Sequence, residues 1–340
     1  MIDKAILKKY DSNRMHETYD QWPKLAAEYY EKPINFDIDF GDVDHIVFAG
    51  MGGSAAAGEI LRGVLSKSNI HTTMIRGYTL PRTVDSNTLI IATSVSGNSV
   101  EPLTILEQTK NTRAQIVAFS SGGKMQDYCE KNSIPFHKIK EVNSPRATLP
   151  IILYSMLSML EGKFGIKDND VNESIIILND TAKKINSDNL SDSNPSLSLG
   201  SWIKNIPVIY YPYGLYSAAL RFKNSLQENS KRNAITEDVI EACHNNIVTW
   251  ERKASVQPIL IRGVDDYIKT KERWEILKEY FQENNNEFRE VISVEGSILS
   301  KIINLIYLLD YATIYNAILN EIDPVPIKSI DYICIVDDDH

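Results

Sequence analysis

Residues 89–99 read Leu89-Ile90-Ile91-Ala92-Thr93-Ser94-Val95-Ser96-Gly97-Asn98-Ser99. A short apolar run that ends in hydroxyls and one glycine reads as a buried β-strand opening into a polar loop. The serines can donate from their side chains. Gly97, which has no Cβ, lets backbone N–H groups approach a ligand closely. A helix starting near Val100 adds the unpaired N–H groups and partial positive charge of its N-terminus. The loop holds no Lys or Arg, which suits a monophosphate held by hydrogen bonds.

The same strand–loop–helix order recurs on either side. His45 to Ala49 is apolar, runs into Gly50-Met51-Gly52-Gly53-Ser54, and leads to an Ala-rich helix ending near Leu65. Residues 72–76, 116–120 and 134–138 read as further strands, and 100–110 and 124–131 as helices. Short apolar strands alternating with helices predict a parallel, doubly wound sheet. A long helix over 146–164 then links the halves, and 186–201 reads as an exposed loop or short helix.

After that the pattern restarts. Strands are expected at 206–211, 258–262 and 288–294, and helices at 215–230 and 269–283. A long helix over 298–320 carries Ile302, Leu305, Ile306 and Leu309 on one face. The expected fold class is therefore α/β, with two doubly wound domains over residues 1–150 and 151–340. Sequence similarity between the halves is weak. From Asp323 an extended tail is expected, and its end, Asp337-Asp338-Asp339-His340, reads as solvated rather than metal-binding.

Composition narrows the partners. The net charge of −9 disfavours nucleic acid and anionic membranes. No apolar stretch reads as a membrane span, and residues 1–10 lack a signal-peptide core. The three cysteines, Cys129, Cys243 and Cys334, are scattered, without metal spacing or a disulfide framework, as in a reducing cytoplasm. His16, His45, His71 and His137 have no partners at metal spacing and read as surface or strand-end residues. Trp22, Trp202, Trp250 and Trp274 read as core or interface aromatics.

Gly50 to Ser54 is a generic anion cradle rather than a dinucleotide fingerprint, because Ala55 occupies the last glycine position. Tight helix-on-strand packing explains it equally well alone. Two such loops at the ends of neighbouring strands converge on the usual ligand crevice of an open α/β sheet.

At these residues the chain resembles the sugar isomerase (SIS) domain, which binds phosphorylated sugars. Two such domains in one chain resemble the bifunctional phosphoglucose/phosphomannose isomerases. The resemblance covers nearly the whole chain. It is carried by Gly52-Gly53-Ser54 and Ser94 to Ser99, by Ser144-Pro145-Arg146-Ala147-Thr148, and by Lys223 to Lys231 with its Gln-Glu-Asn-Ser-Lys ending. It continues in His244-Asn245-Asn246-Ile247-Val248-Thr249-Trp250, in Asp310-Tyr311-Ala312-Thr313 and in Ile322-Asp323-Pro324.

The resemblance implies an aldose–ketose isomerase that acts on sugar 6-phosphates through a cis-enediolate, with neither metal nor redox cofactor. It implies that Gly52, Gly53, Ser54, Ser94, Ser96 and Ser99 hold the phosphate. A weak carbon acid needs a positioned, partly desolvated carboxylate base, and the resemblance gives this role to Glu228. The residues alone favour a surface Glu paired with Lys231. The resemblance also implies that His244 opens the sugar ring and comes from the partner subunit of a homodimer; read alone, it is a capping or hydrogen-bonding histidine. Arg146, expected at a helix start where its charge opposes the dipole, stabilises the enediolate oxygen. Thr313 leaves room near C2 for both glucose and mannose epimers; on its own it reads as a packed residue bonded to a carbonyl. The family's lysine position falls on Asn320, which supplies no cation, so that duty shifts to His244 or Lys328. Other SIS isomerases, and a non-catalytic sugar-phosphate sensor, are the competing expectations.

Overall fold

The structure, a computed structural model, describes residues 2–338, with side chains up to Ile333. The tail's last residues, Asp339 and His340, lie outside it. Three short helices begin the chain: α1 (Lys4–Tyr10), α2 (Met15–Asp20) and α3 (Trp22–Tyr30). In α2, His16 is not a surface residue: it is buried, and its Nδ1 lies 2.6 Å from Asp11 Oδ2.

The first sheet is built from β1 (His45–Ala49), β2 (His71–Ile75), β3 (Thr88–Ser94), β4 (Gln115–Ser120) and β5 (Phe136–Lys138). Its helices are α4 (Gly52–Leu65), α5 (Val100–Gln108) and α6 (Gly123–Asn132). The order is β2-β1-β3-β4-β5, parallel throughout. β1 and β3 are buried along their whole length, as continuous apolar runs in a parallel sheet must be. The winding direction reverses between them, which makes their carboxyl ends the switch-point crevice of this strand order. Ala49 pairs with Ala92, so residues 50–54 and 94–99 leave the sheet side by side.

The linking helix is shorter than expected. Helix α7 spans Leu149–Met159, so Arg146 is not on it. Residues 145–148 form a turn in which Thr148 Oγ1 donates to Ser144 O at 2.9 Å, and α7 then starts at Leu149 with Pro150 in its first turn. Helix α8 (Asp168–Ile185) follows, and α9 (Pro195–Trp202) fills the short-helix alternative for 186–201, capped by Asn194.

The second sheet has β6 (Ile206–Tyr211), β7 (Ile235–Asp238), β8 (Val256–Arg262) and β9 (Arg289–Ile292), with α10 (Tyr216–Asn229), α11 (Val239–Ala242) and α12 (Ile268–Glu283) between them. Its order, β7-β6-β8-β9, is again parallel and repeats the winding of the first four strands of the first sheet. Helix α13 (Ile298–Leu319) is long and apolar enough to cross a membrane, contrary to expectation, but 89% of its most apolar window is buried inside the protein. It packs on α8, α9 and α10, and α4 packs on α10. One apolar cluster runs from Phe48 of the first sheet through these helices to Ile209 of the second. The tail is not extended: α14 (Lys328–Asp338) occupies it.

Candidate active site

Glu228 sits one residue before the end of α10, with its side chain 22% exposed. Behind it lies Arg146, 1% exposed. Arg146 Nε donates to Asn229 Oδ1 (2.7 Å), Nη1 to Glu228 Oε2 (3.3 Å), and Nη2 to the carbonyls of Pro324 (2.7 Å) and Val325 (3.0 Å). A guanidinium presents a rigid fork of donors, and here that fork fixes both the carboxylate and the neighbouring amide. The expected Glu228–Lys231 carboxylate pairing is absent. Lys231 Nζ instead meets main-chain oxygens, including that of Glu228 at 2.8 Å.

Thr313 is wholly buried and lines neither cavity at the site, so it does not border the space where C2 was expected. Its Oγ1 accepts from Asn229 Nδ2 at 2.8 Å and donates to Asp310 O at 2.7 Å. It supports the amide that in turn supports Arg146. Below it, Asp310 accepts from Ser225 Oγ (2.6 Å), Tyr19 OH (3.0 Å) and Arg221 Nη2 (2.8 Å), and Arg221 also donates to Arg146 O at 2.7 Å. Burial keeps the Tyr19 phenol far above its usual range, so it remains a donor. The buried charges are therefore paired and hydrogen-bonded, the condition on which they are tolerated.

Glu228 opens onto two adjoining cavities. The inner one, about 80 Å³ between α4 and α10, is lined by residues including Gly52, Gly53, Glu59, Arg76, Ser217, Asn224 and Glu228. Ser217 Oγ there is buried without a partner among the described residues. The outer one, about 770 Å³, is lined by Gly52, Glu228 and Lys231 and by the Asp323–Ile330 segment with Lys328.

The cradle adjoins these cavities. Ser54 Oγ accepts from Val95 N (3.0 Å), Ser96 Oγ from Asn98 N (3.2 Å) and Ser99 Oγ from Ser94 Oγ (3.1 Å). Among the described residues none of these three hydroxyls donates, which leaves their protons for an oxyanion. Ser94 is buried; its Oγ accepts from Gly97 N at 3.1 Å and shapes the loop. Neither α4 nor α5 has a side-chain cap, so their first-turn N–H groups have no side-chain acceptor at the cap. Gly97 has φ 75°, and an added Cβ would lie 1.8 Å from Gly122 O. A Cβ on Gly53 would lie 2.9 Å from Arg146 N, so cradle and arginine touch through their backbones.

Of the expected site residues, Gly52, Gly53 and Glu228 line these cavities, whereas Ser54, Ser94, Ser96, Ser99, Arg146, Thr313, His244 and Asn320 do not. His244, just past α11, is exposed and lines neither cavity. Asn320 caps the end of α13, where its Nδ2 donates to Asn316 O at 2.6 Å. The sequence reading did not single out Asn229, Arg76 or Lys231 as site residues, because their roles come from contacts far apart in sequence. The Gln227-Glu228-Asn229-Ser230-Lys231 stretch contains two of them.

Residues 192–334 match the family model described as the bacterial phospho-glucose isomerase C-terminal SIS domain. A bifunctional phosphoglucose/phosphomannose isomerase from Caldicellulosiruptor bescii is 32% identical over 93% of this chain and 97% of its own. The chain belongs to the bifunctional phosphoglucose/phosphomannose isomerase family. A second family member, from Thermoplasma volcanium, is 29% identical over 88% of this chain and 93% of its own. The fold is similar to that of a hypothetical protein from Thermus thermophilus, with a TM-score of 0.72 and 14% identity over 99% of this chain and 92% of that one. In this phosphoglucose/phosphomannose isomerase family member, Glu228 is the one candidate catalytic residue that lines both cavities beside Gly52.

Proposed function

We propose that the protein is an aldose–ketose isomerase that interconverts glucose 6-phosphate and mannose 6-phosphate with fructose 6-phosphate. The observation that carries this reading is that Gly52 of the phosphate cradle and the Glu228 carboxylate line the same cavities. The phosphate is held by Ser54, Ser96 and Ser99 and by the N–H groups around Gly52 and Gly53, with Ser94 shaping the loop. Glu228 takes the proton from C2 of the open-chain sugar and returns it to C1, and the reverse. Arg146, whose three nitrogens all donate to protein acceptors, orients that carboxylate from behind rather than reaching the enediolate oxygen itself.

Ring opening belongs to His244 of a second copy. The family resemblance supports this reading, and the exposure of His244 leaves it accessible to a second copy, so the working unit is a homodimer. Thr313 acts through Asn229, and Asn320 takes no part. The division at about residue 150 and a cytoplasmic location belong to the same reading.

Purified protein is given fructose 6-phosphate without added metal, and the products are resolved. Formation of glucose 6-phosphate and mannose 6-phosphate is expected. No aldose phosphate at high enzyme concentration refutes the reading, and glucose 6-phosphate alone removes the dual specificity.

A further inference from the structure

Lys231 stands just beyond α10, after Ser230, with φ 53°. A lysine rarely adopts this left-handed backbone, and such an outlier persists only where the surroundings hold it. What holds it is visible at the ammonium. Lys231 Nζ donates toward the carbonyls of Glu228 (2.8 Å), Asn229 (3.3 Å), Asp323 (3.0 Å) and Pro324 (3.2 Å). The first two end the helix that carries the carboxylate. The last two begin the segment that walls the outer cavity. Arg146 Nη2 grips the same segment at Pro324 and Val325, so two cations hold three successive carbonyls beside Glu228.

We propose that Lys231 is a positioning residue for the isomerisation, tying the Glu228 end of α10 to the Asp323–Pro324 wall so that the sugar is enclosed against the carboxylate. This rests on the isomerase reading above. The charged groups facing the ammonium are Glu228 from α10, Arg146 from the turn before α7, and Asp323 from the segment after α13. Burial and Arg146 push Lys231 down, Asp323 and Glu228 pull it back, and it settles at about 8. Loss of the proton removes one donor and turns a lone pair toward the carbonyls, which loosens the tie.

The test uses K231M and K231R in the full-length protein. Turnover of fructose 6-phosphate is followed from pH 6 to 9.5, and amide exchange is followed in the peptide covering residues 325–330. In the wild type kcat is expected to fall as pH rises through about 8, where Lys231 loses its proton. K231M is expected to lose roughly 10- to 100-fold in kcat, since small misplacements of reacting groups are that costly, with KM nearly unchanged. It also loses the basic limb and exchanges faster in the wall segment. K231R, which can still donate, recovers most of kcat, and its basic limb moves to higher pH. Wild-type kcat and exchange in K231M, a loss confined to KM, or a basic limb kept in K231M overturns the proposal. If the wild type has no turnover, the isomerase reading has failed, and the exchange rates still decide whether Lys231 is the tie.

Discussion

Arg146 Nη1 lies 3.3 Å from Glu228 Oε2, with the arginine side chain 2% exposed and the carboxylate 22%. Each nitrogen of the cation donates to a protein acceptor, and the anion keeps one face on the cavities. That asymmetry suits a base whose position is fixed from behind while its free oxygen meets a substrate. It also means that the two residues do different things: one reacts, and the other orients.

E228Q separates these roles. The amide oxygen still accepts from Arg146, so the turn before α7 and the end of α10 stay in place, and the melting temperature is expected to change little. The cradle is untouched, so KM for fructose 6-phosphate stays within a few-fold. Without the base, kcat falls roughly 10²- to 10⁴-fold. Near-normal turnover places the base on another residue.

Two glycines distinguish binding from folding. In G53A the new Cβ meets the backbone of Pro145 and Arg146 at about 3 Å, so cradle and arginine move apart. KM rises, and inhibition by inorganic phosphate weakens. In G97A the Cβ collides with Gly122 O at a left-handed φ, and the cost is about 2 kcal/mol or more, read as a lower urea midpoint. If G97A has wild-type stability, that loop does not hold the conformation described.

How far the sequence could be read follows from which contacts are local. The central strands were legible because strands buried on both faces are continuous apolar runs. The edge strand β7, Ile-Thr-Glu-Asp, is half-exposed and has no such run. Helices α1 to α3 are too short to show a periodic stripe. Gly52 to Ser54 and Ser94 to Ser99 were legible as a pair because each directly follows its strand. Arg146 was misplaced onto a helix because Pro145 and Thr148 act locally in a turn, and its burial depends on Asn229 and Pro324, far along the chain. Thr313 was assigned to the substrate by resemblance, whereas its partner Asn229 sits on another helix and leaves no trace at residue 313.

Thr313 therefore tests the layered support. T313V keeps the volume and removes the hydroxyl that accepts from Asn229 Nδ2. An unpaired buried amide donor costs about 1–3 kcal/mol, and Asn229 then holds Arg146 less well. Both products are expected to form more slowly from fructose 6-phosphate, with the glucose-to-mannose ratio unchanged. A ratio that shifts while the total rate holds would return Thr313 to the substrate pocket.

The composite site is tested by mixing two inactive variants. H244A keeps Glu228, and E228Q keeps His244. If His244 serves the partner's cavity, each mixed dimer contains one complete site. Random reassociation makes about half the dimers mixed, so about a quarter of wild-type activity returns when the two are co-refolded at equal concentration. Each variant alone stays near zero. If His244 serves its own chain, every site in the mixture lacks one residue or the other, and no activity returns. The two outcomes differ by far more than assay error, and the result does not depend on knowing which hexose phosphate is preferred.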